Sequence, residues 1–384
     1  MTDREAYIIL NMIPGIGPIR LTALCEHFGS PSAALSAGRR ALGAVSGIGS
    51  ELAGDVAAWE SKTDLAGELH LAERAGVRIV TRGEPDYPPM LAEIHDPPLC
   101  LYVRGELPDP ARPALGVVGS RRITPYGRRM AEYLSTAAAH AGWPVISGLA
   151  YGVDAVAHEA VVTAGGITVA VLGGGLARIH PQDHIPLAKR IAAGAGAVIS
   201  EFPMTFPPSR RTFPMRNRII SGMSNGVVVI EAGVQSGALI TAKTALEQGR
   251  QVFAVPGRAD DPQSRGCNNL IRDGAKLTET FEDIVGEFEF LPGFVAPAAL
   301  SRSPIGEAEA EEFDDSGLTV SSGEEKILAL LAAEGECGVD RIAGDAGMPM
   351  GPLLALLMEL TLKRRIEALP GKRYLLRRDP KTKE

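Results

Sequence analysis

Absences bound this chain first. Its four cysteines, Cys25, Cys100, Cys267 and Cys337, lie far apart with no CxxC pair. That spacing supports neither a zinc site nor a disulfide framework and suits free thiols in a reducing cytoplasm. No apolar run is long enough to cross a bilayer, and the start, MTDREAYIIL, lacks the basic opening and long apolar stretch of a leader. Membrane insertion is not expected. Positive charge is in deficit, with a net charge of -7. This argues against a surface coated all over by nucleic acid while leaving room for a local basic groove. The GxGxxG fingerprint of dinucleotide binding is missing after the first central strand, where the chain has GSRR. Hydride transfer is not expected, and neither a nucleophilic triad nor a metal-ligand set stands out, so no cofactor and no metal is expected.

What is present fills 384 residues, enough for two or three domains. Near the N-terminus MIPGIGPIRLTALCEHF is echoed by AVSGIGSELAGDVAAW, a hydrophobic-x-GIG-helix plan used twice. This is the arrangement of a doubled helix-hairpin-helix over residues 1–75. Such hairpins either offer backbone amides to a phosphate chain or serve as tight turns in a small helical bundle. The proline-rich stretch that follows, with Pro85, Pro88, Pro89, Pro97 and Pro98, forbids a long helix or a central strand. It reads as a connector carrying strands at 78–81 and 99–104 that extend one edge of a sheet.

From Leu115 a βα rhythm sets in. Strands are expected at 115–118, 143–147, 167–172, 197–200, 226–231 and 251–255, with helices between them. Near-continuous apolar runs such as TVAVL and GVVVIEA suit a sheet covered on both faces. The expected fold class is α/β, an open, doubly wound parallel sheet over residues 76–292, with ligands at the strand C-termini. Residues 293–322 include the acidic run SRSPIGEAEAEEFDDSG and read as a linker. Residues 323–384 give three helical segments and a hairpin, the plan of a winged helix. Lys363, Arg364, Arg365, Lys372, Arg373, Arg377 and Arg378 make this end basic, yet the helix that would enter a groove, GPLLALLMEL, is nearly uncharged.

Four small-residue corners should meet at one sheet edge. They are Gly119-Ser120-Arg121-Arg122, the Ser147 to Gly152 loop beginning Ser147-Gly148, Gly173-Gly174-Gly175, and GVQSGALITA with Ser236 and Gly237. Glycine corners at helix starts leave amides free for anions. Asp154 and His158 stand one turn apart on one helix face, and a cap aspartate orienting the histidine is preferred to a metal site. PPSRRTFPMRNRIISG places Arg210, Arg211, Arg216 and Arg218 close together with Asn217 and the ring of Phe213. Guanidinium forks hold phosphates and rings accept base faces, which suits single-stranded nucleic acid. Alternatively the arginines pair with Glu201 and Glu231 and pin the loops.

With GSRR, SGLAYGVDAVAH, FPMRNRIISGMS and EAGVQSGALITA in that order, residues 80 to 290 resemble the bacterial DNA-processing protein A family, also called DprA or Smf. The resemblance implies an extended Rossmann-like central domain and a SAM-like helical N-terminal domain. It also implies homodimers, sequence-independent binding of single-stranded DNA, and loading of the RecA recombinase onto incoming strands in natural transformation. The implied pocket maps onto Gly119 to Arg122, Ser147 to Gly152, Arg216 to Arg218 and the SGAL loop, without catalysis. Two other readings stand beside it. One is a nucleotide hydrolase with Glu231 near a glycosidic bond and Ser236-Gly237 on a phosphate. The other is a scaffold whose winged helix binds a protein.

Overall fold

The computed structural model describes residues 1–289, 322–362, 365–369 and 373–376. Of the linker expected over 293–322, residues 293–321 lie outside the described residues, as do the basic residues Lys363, Arg364, Lys372, Arg377 and Arg378, while Ser322 already opens a helix. By internal contacts the chain divides into two compact units, Met1–Gly306 and Glu307–Glu384.

The first unit opens with seven short helices between Asp3 and Arg74. The two GIG turns have the same construction. Gly15 and Gly47 adopt positive φ, at 92° and 79°, which only glycine takes without strain. Gly17 and Gly49 then precede the first residues of the Pro18–Phe28 and Ser50–Ala57 helices. Arg20 ties the turns together, donating from Nε to the Gly47 carbonyl at 3.0 Å and from Nη1 to that of Gly15 at 2.5 Å. Its charge is spent on joining the hairpins.

The sheet has nine strands: β1 (Arg78–Thr81), β2 (Cys100–Gly105), β3 (Leu115–Val118), β4 (Val145–Ser147), β5 (Thr168–Val171), β6 (Gly196–Ser200), β7 (Gly226–Val229), β8 (Gln251–Ala254) and β9 (Lys276–Leu277). Their spatial order is β1-β2-β6-β5-β4-β3-β7-β8-β9. Strands β3 to β8 run parallel as expected, and the two-residue β9, not expected from the sequence, adds a parallel pair beside β8; β1 and β2 are antiparallel to each other, and β2 is antiparallel to β6. A parallel pair needs a long crossover, usually a helix. The connector between β1 and β2 carries only the one-turn helix Pro89–Ala92, so the edge reverses.

Alternation along each strand divides the core. Leu115, Val117, Val228 and Ile230 face the helices Pro125–His140 and Val153–Thr163. Val118, Val227 and Val229 face Thr212–Gly222 and Gly237–Glu247. Towards the β6 side, Cys100, Tyr102 and Val198 pack with the N-terminal helices. Burial on both faces explains the continuous apolar strands. The chain moves outwards from β3 to β4, β5 and β6, then returns to the other side of β3 with β7. That reversal opens a crevice at the C-terminal ends of β3 and β7, where such sheets bind ligands.

The second unit has the helices Ser322–Glu334, Val339–Ala346 and Met350–Leu362 around Ile327, Leu331, Ile342, Leu353 and Leu357. A three-stranded antiparallel sheet, β10 (Cys337–Gly338), β11 (Ile366–Leu369) and β12 (Arg373–Leu376), completes the winged-helix plan in the order β10-β12-β11.

Candidate nucleic-acid interface

At the reversal between β3 and β7 lies a cleft of about 840 Å³. Its walls include Gly119, Ser120, Arg121 and Arg122 after β3, Arg210, Phe213, Arg216 and Asn217 on the loop and helix after β6, and Ser236 and Gly237 after β7. Asp154 also reaches it. Four arginines against one aspartate make a cationic cavity in a chain that is acidic overall. Arg121, Arg122 and Arg210 are exposed, and among the described residues none pairs with a carboxylate. The Arg121 guanidinium lies 5.4 Å from the centre of the Phe213 ring, a cation–π distance.

Local chemistry fixes the walls. Ser236 accepts from the Ala238 amide at 3.3 Å, capping the Gly237–Glu247 helix, whose positive end meets the cleft. Ser120 Oγ accepts from the Arg122 amide at 3.0 Å and lies 3.2 Å from Gln263 Oε1, so its hydroxyl shapes the turn. The three glycines at 173–175 do not line the cleft; they seat the arginine loop. Gly175 donates to the Phe206 carbonyl at 2.9 Å, Thr212 Oγ1 donates to that of Gly173 at 2.5 Å, and any Cβ on Gly175 would overlap the carbonyls of Pro203 and Met204. From the N-terminal helices, buried Glu68 accepts from the Met204 amide at 2.7 Å and braces the same loop.

Arg216 is only 5% exposed, with Nε and Nη1 lacking hydrogen-bond partners. Its Nη1 is 3.9 Å from Asp154 Oδ2. Asp154 accepts from the amides of Gly148 and Ala150 at 3.2 and 3.4 Å and thereby shapes the Ser147 to Gly152 loop. Burial raises the pKa of Asp154 against the opposing pull of Arg216, and burial lowers that of Arg216. A charge held dry and incompletely paired is ready for an incoming anion.

Several expected site residues do other work. Arg218 holds Glu201 with Nη1 and Nη2 at 3.0 and 2.6 Å and Asp96 with Nε at 2.9 Å, away from the cleft. Among Arg210, Arg211, Arg216 and Arg218 of the PPSRRTFPMRNRIISG run, Arg218 thus takes the pinning role. Arg211 is exposed and precedes the helix without lining the cleft. Ser147 is fully buried and donates to the Val117 carbonyl at 2.6 Å. Gly148 lies beneath Arg216, and Gly152 against the Ser120 and Arg121 backbone.

Two orientations differ from expectation. His158 is not held by Asp154; its Nδ1 lies 2.7 Å from Thr168 Oγ1, which itself donates to the Val145 carbonyl at 2.7 Å. The hydroxyl proton being committed, Nδ1 carries the ring proton. Glu231 does not pair with arginine. Its oxygens accept from the Thr124 amide at 2.9 Å and hydroxyl at 2.7 Å, so this buried carboxylate fixes the start of the Pro125–His140 helix. Gln235 and Thr241, within the expected corner GVQSGALITA but not singled out there, also line the cleft, as does Gln263, which no expected stretch contains. Gln263 sits on the loop beyond β8, and only the position of that loop after a parallel strand gave a signal.

Residues 78–289 match the family described as DNA recombination-mediator protein A, and residues 311–372 match the DprA winged helix domain. The chain is 42% identical to Protein Smf of Escherichia coli over 296 residues, 76% of this chain and 75% of that protein. Protein Smf of Synechocystis is 31% identical over 394 residues, covering 97% and 98%. The X-ray structure of DNA processing protein A from Streptococcus pneumoniae superimposes with a TM-score of 0.64 at 31% identity, covering 76% of this chain and 99% of that one. The order of motifs, the sheet and the extent of these matches agree: the chain belongs to the DNA recombination-mediator protein A (DprA/Smf) family.

Proposed function

We propose that the cleft binds single-stranded DNA without base preference and that the protein acts as a recombination mediator, loading RecA recombinase onto the strand. The observation that carries the reading is the cleft's four arginines against one aspartate, beside a ring and an inward-pointing helix start. Arg121, Arg122 and Arg210 would contact phosphates, Arg216 would stand at the base of the cleft, and Phe213 would take a base face. Membership of a family described as recombination mediators supports the same role. A homodimer would present two such clefts to one strand and raise avidity without new contacts.

The hydrolase reading loses its acid, because both oxygens of Glu231 are engaged by Thr124. Among the described residues no helix is long and apolar enough to cross a membrane, and no group of three His, Cys, Asp or Glu could hold a metal ion.

Binding of labelled oligothymidine and of a matched duplex, measured by anisotropy over a salt series, tests the reading. Single strands are expected to bind more tightly, with affinity falling as salt rises. Equal affinity for the duplex would remove the proposal. RecA loading is checked by filament growth on strands coated with single-strand-binding protein, and the dimer by sedimentation.

A further inference from the structure

The segment between β5 and the Ile185–Ala192 helix contributes nothing to the cleft wall described above, yet it touches the site at three points. The His180 ring stacks on that of Phe213, with centroids 5.9 Å apart and planes 28° from parallel. Asp183 Oδ2 accepts from the Tyr151 hydroxyl at 2.7 Å. His184 Nδ1 donates to the Leu149 carbonyl at 2.8 Å, and its ring meets Tyr151 edge-on at 4.9 Å. Leu149, at φ 55°, is the described non-glycine residue with positive φ, a conformation that persists only when its surroundings impose it. His184 grips its carbonyl, so the strained loop presents Tyr151 outward, 45% exposed. Gly152, the next residue, packs on the Arg121 backbone, so the chain at Tyr151 runs one residue from the turn that carries the cleft's first arginine.

We infer that Tyr151 and His180 form a second base-stacking station, which continues the single-strand site from Phe213 out of the cleft along the β5 side. The inference rests on the single-strand reading of the cleft. The ligand class is the unpaired nucleobase. Exposed rings accept any base face, so the station adds affinity without sequence preference. Bases locked in a duplex cannot reach it, so it also adds discrimination against double strands. Asp183 and His184 are positioning residues: the first holds the phenol and the second holds the loop that carries it.

The test compares the full chain with Tyr151→Ala/His180→Ala and with Tyr151→Phe/His180→Phe, using labelled oligothymidine of about twenty nucleotides. The alanine pair is expected to weaken binding about tenfold or more, with an unchanged slope of log affinity against log salt, because stacking releases no counterions. The phenylalanine pair keeps the rings and is expected to bind within about threefold of the parent chain. Thermal unfolding of each variant confirms the fold.

Three results would overturn the station. They are parental affinity in the alanine pair, a salt slope that falls together with its affinity, or a phenylalanine pair as weak as the alanine pair. Arg121→Ala/Arg210→Ala separates this failure from failure of the cleft: if that variant and the parent chain bind alike, the cleft reading falls and the station falls with it. If only the arginine variant weakens, the cleft stands and the station alone is removed.

Discussion

The guanidinium of Arg216 lies in the space that a side chain on Gly148 would occupy. A strand-end glycine and an arginine 68 positions later thus form one object, with Asp154 bonded to the Gly148 amide and facing the same arginine.

Gly148→Ala should therefore act through Arg216. The new methyl group displaces the guanidinium, and single-strand affinity should fall about tenfold, the loss of roughly one charge-assisted contact. Anisotropy measures the affinity, and a near-native circular dichroism spectrum shows that the sheet is intact. Unchanged affinity would mean that Arg216 makes no contact with the ligand.

Arg218 should behave differently from its neighbour. Arg218→Ala strands Glu201, which is 8% exposed, and breaking such a buried pair costs about 3 to 5 kcal/mol. Replacing both buried partners, as in Arg218→Met/Glu201→Leu, should recover much of that loss, because no charge is then left in the interior, and Asp96, whose side chain is 38% exposed, can turn to water. Urea unfolding distinguishes the two variants. Equal instability would show that the ion pair itself is needed.

His158 sets a pH dependence. Burial first, then the charges of Arg216 and His184, push its pKa from 6.5 down to about 3. Below pH 6.5 the unfolded chain takes up a proton that the folded ring refuses. The stability associated with the neutral ring is complete above that pH and is lost as pH falls towards 3, by at most about 1.4 kcal/mol per unit. His158→Gln should show a shallower loss between pH 6.5 and 5 in urea titrations. Identical slopes would place the acid sensitivity elsewhere.

The winged helix should be dispensable for strand binding. Its Met350–Leu362 helix exposes Met350, Leu354 and Met358 at four-residue spacing, an apolar stripe unsuited to phosphates. Removing residues 320–384 should leave oligothymidine affinity within about twofold and the salt slope unchanged. A loss of slope would show that the winged helix contacts the strand.

The sequence by itself determined the strands other than the two-residue β9 and β10, the two GIG turns and the corners of the site, because these depend on local rules. Near-continuous apolar runs dictate a sheet buried on both faces, and glycine marks the turns that need positive φ or close approach. Even the cleft's composition was legible, since GSRR and the arginine run each follow a strand, and parallel strands bring their C-terminal ends to one edge. Tertiary structure decided how each charge is used. Arg216 and Arg218 are two residues apart on one helix, so they face different sides. One meets the cleft over Gly148, while the other meets Glu201 and Asp96. Glu231 and Thr124, His158 and Thr168, and Glu68 and Met204 are joined across many residues of chain. The partner of a buried polar group is fixed by which elements pack together, and no spacing within a single segment encodes that.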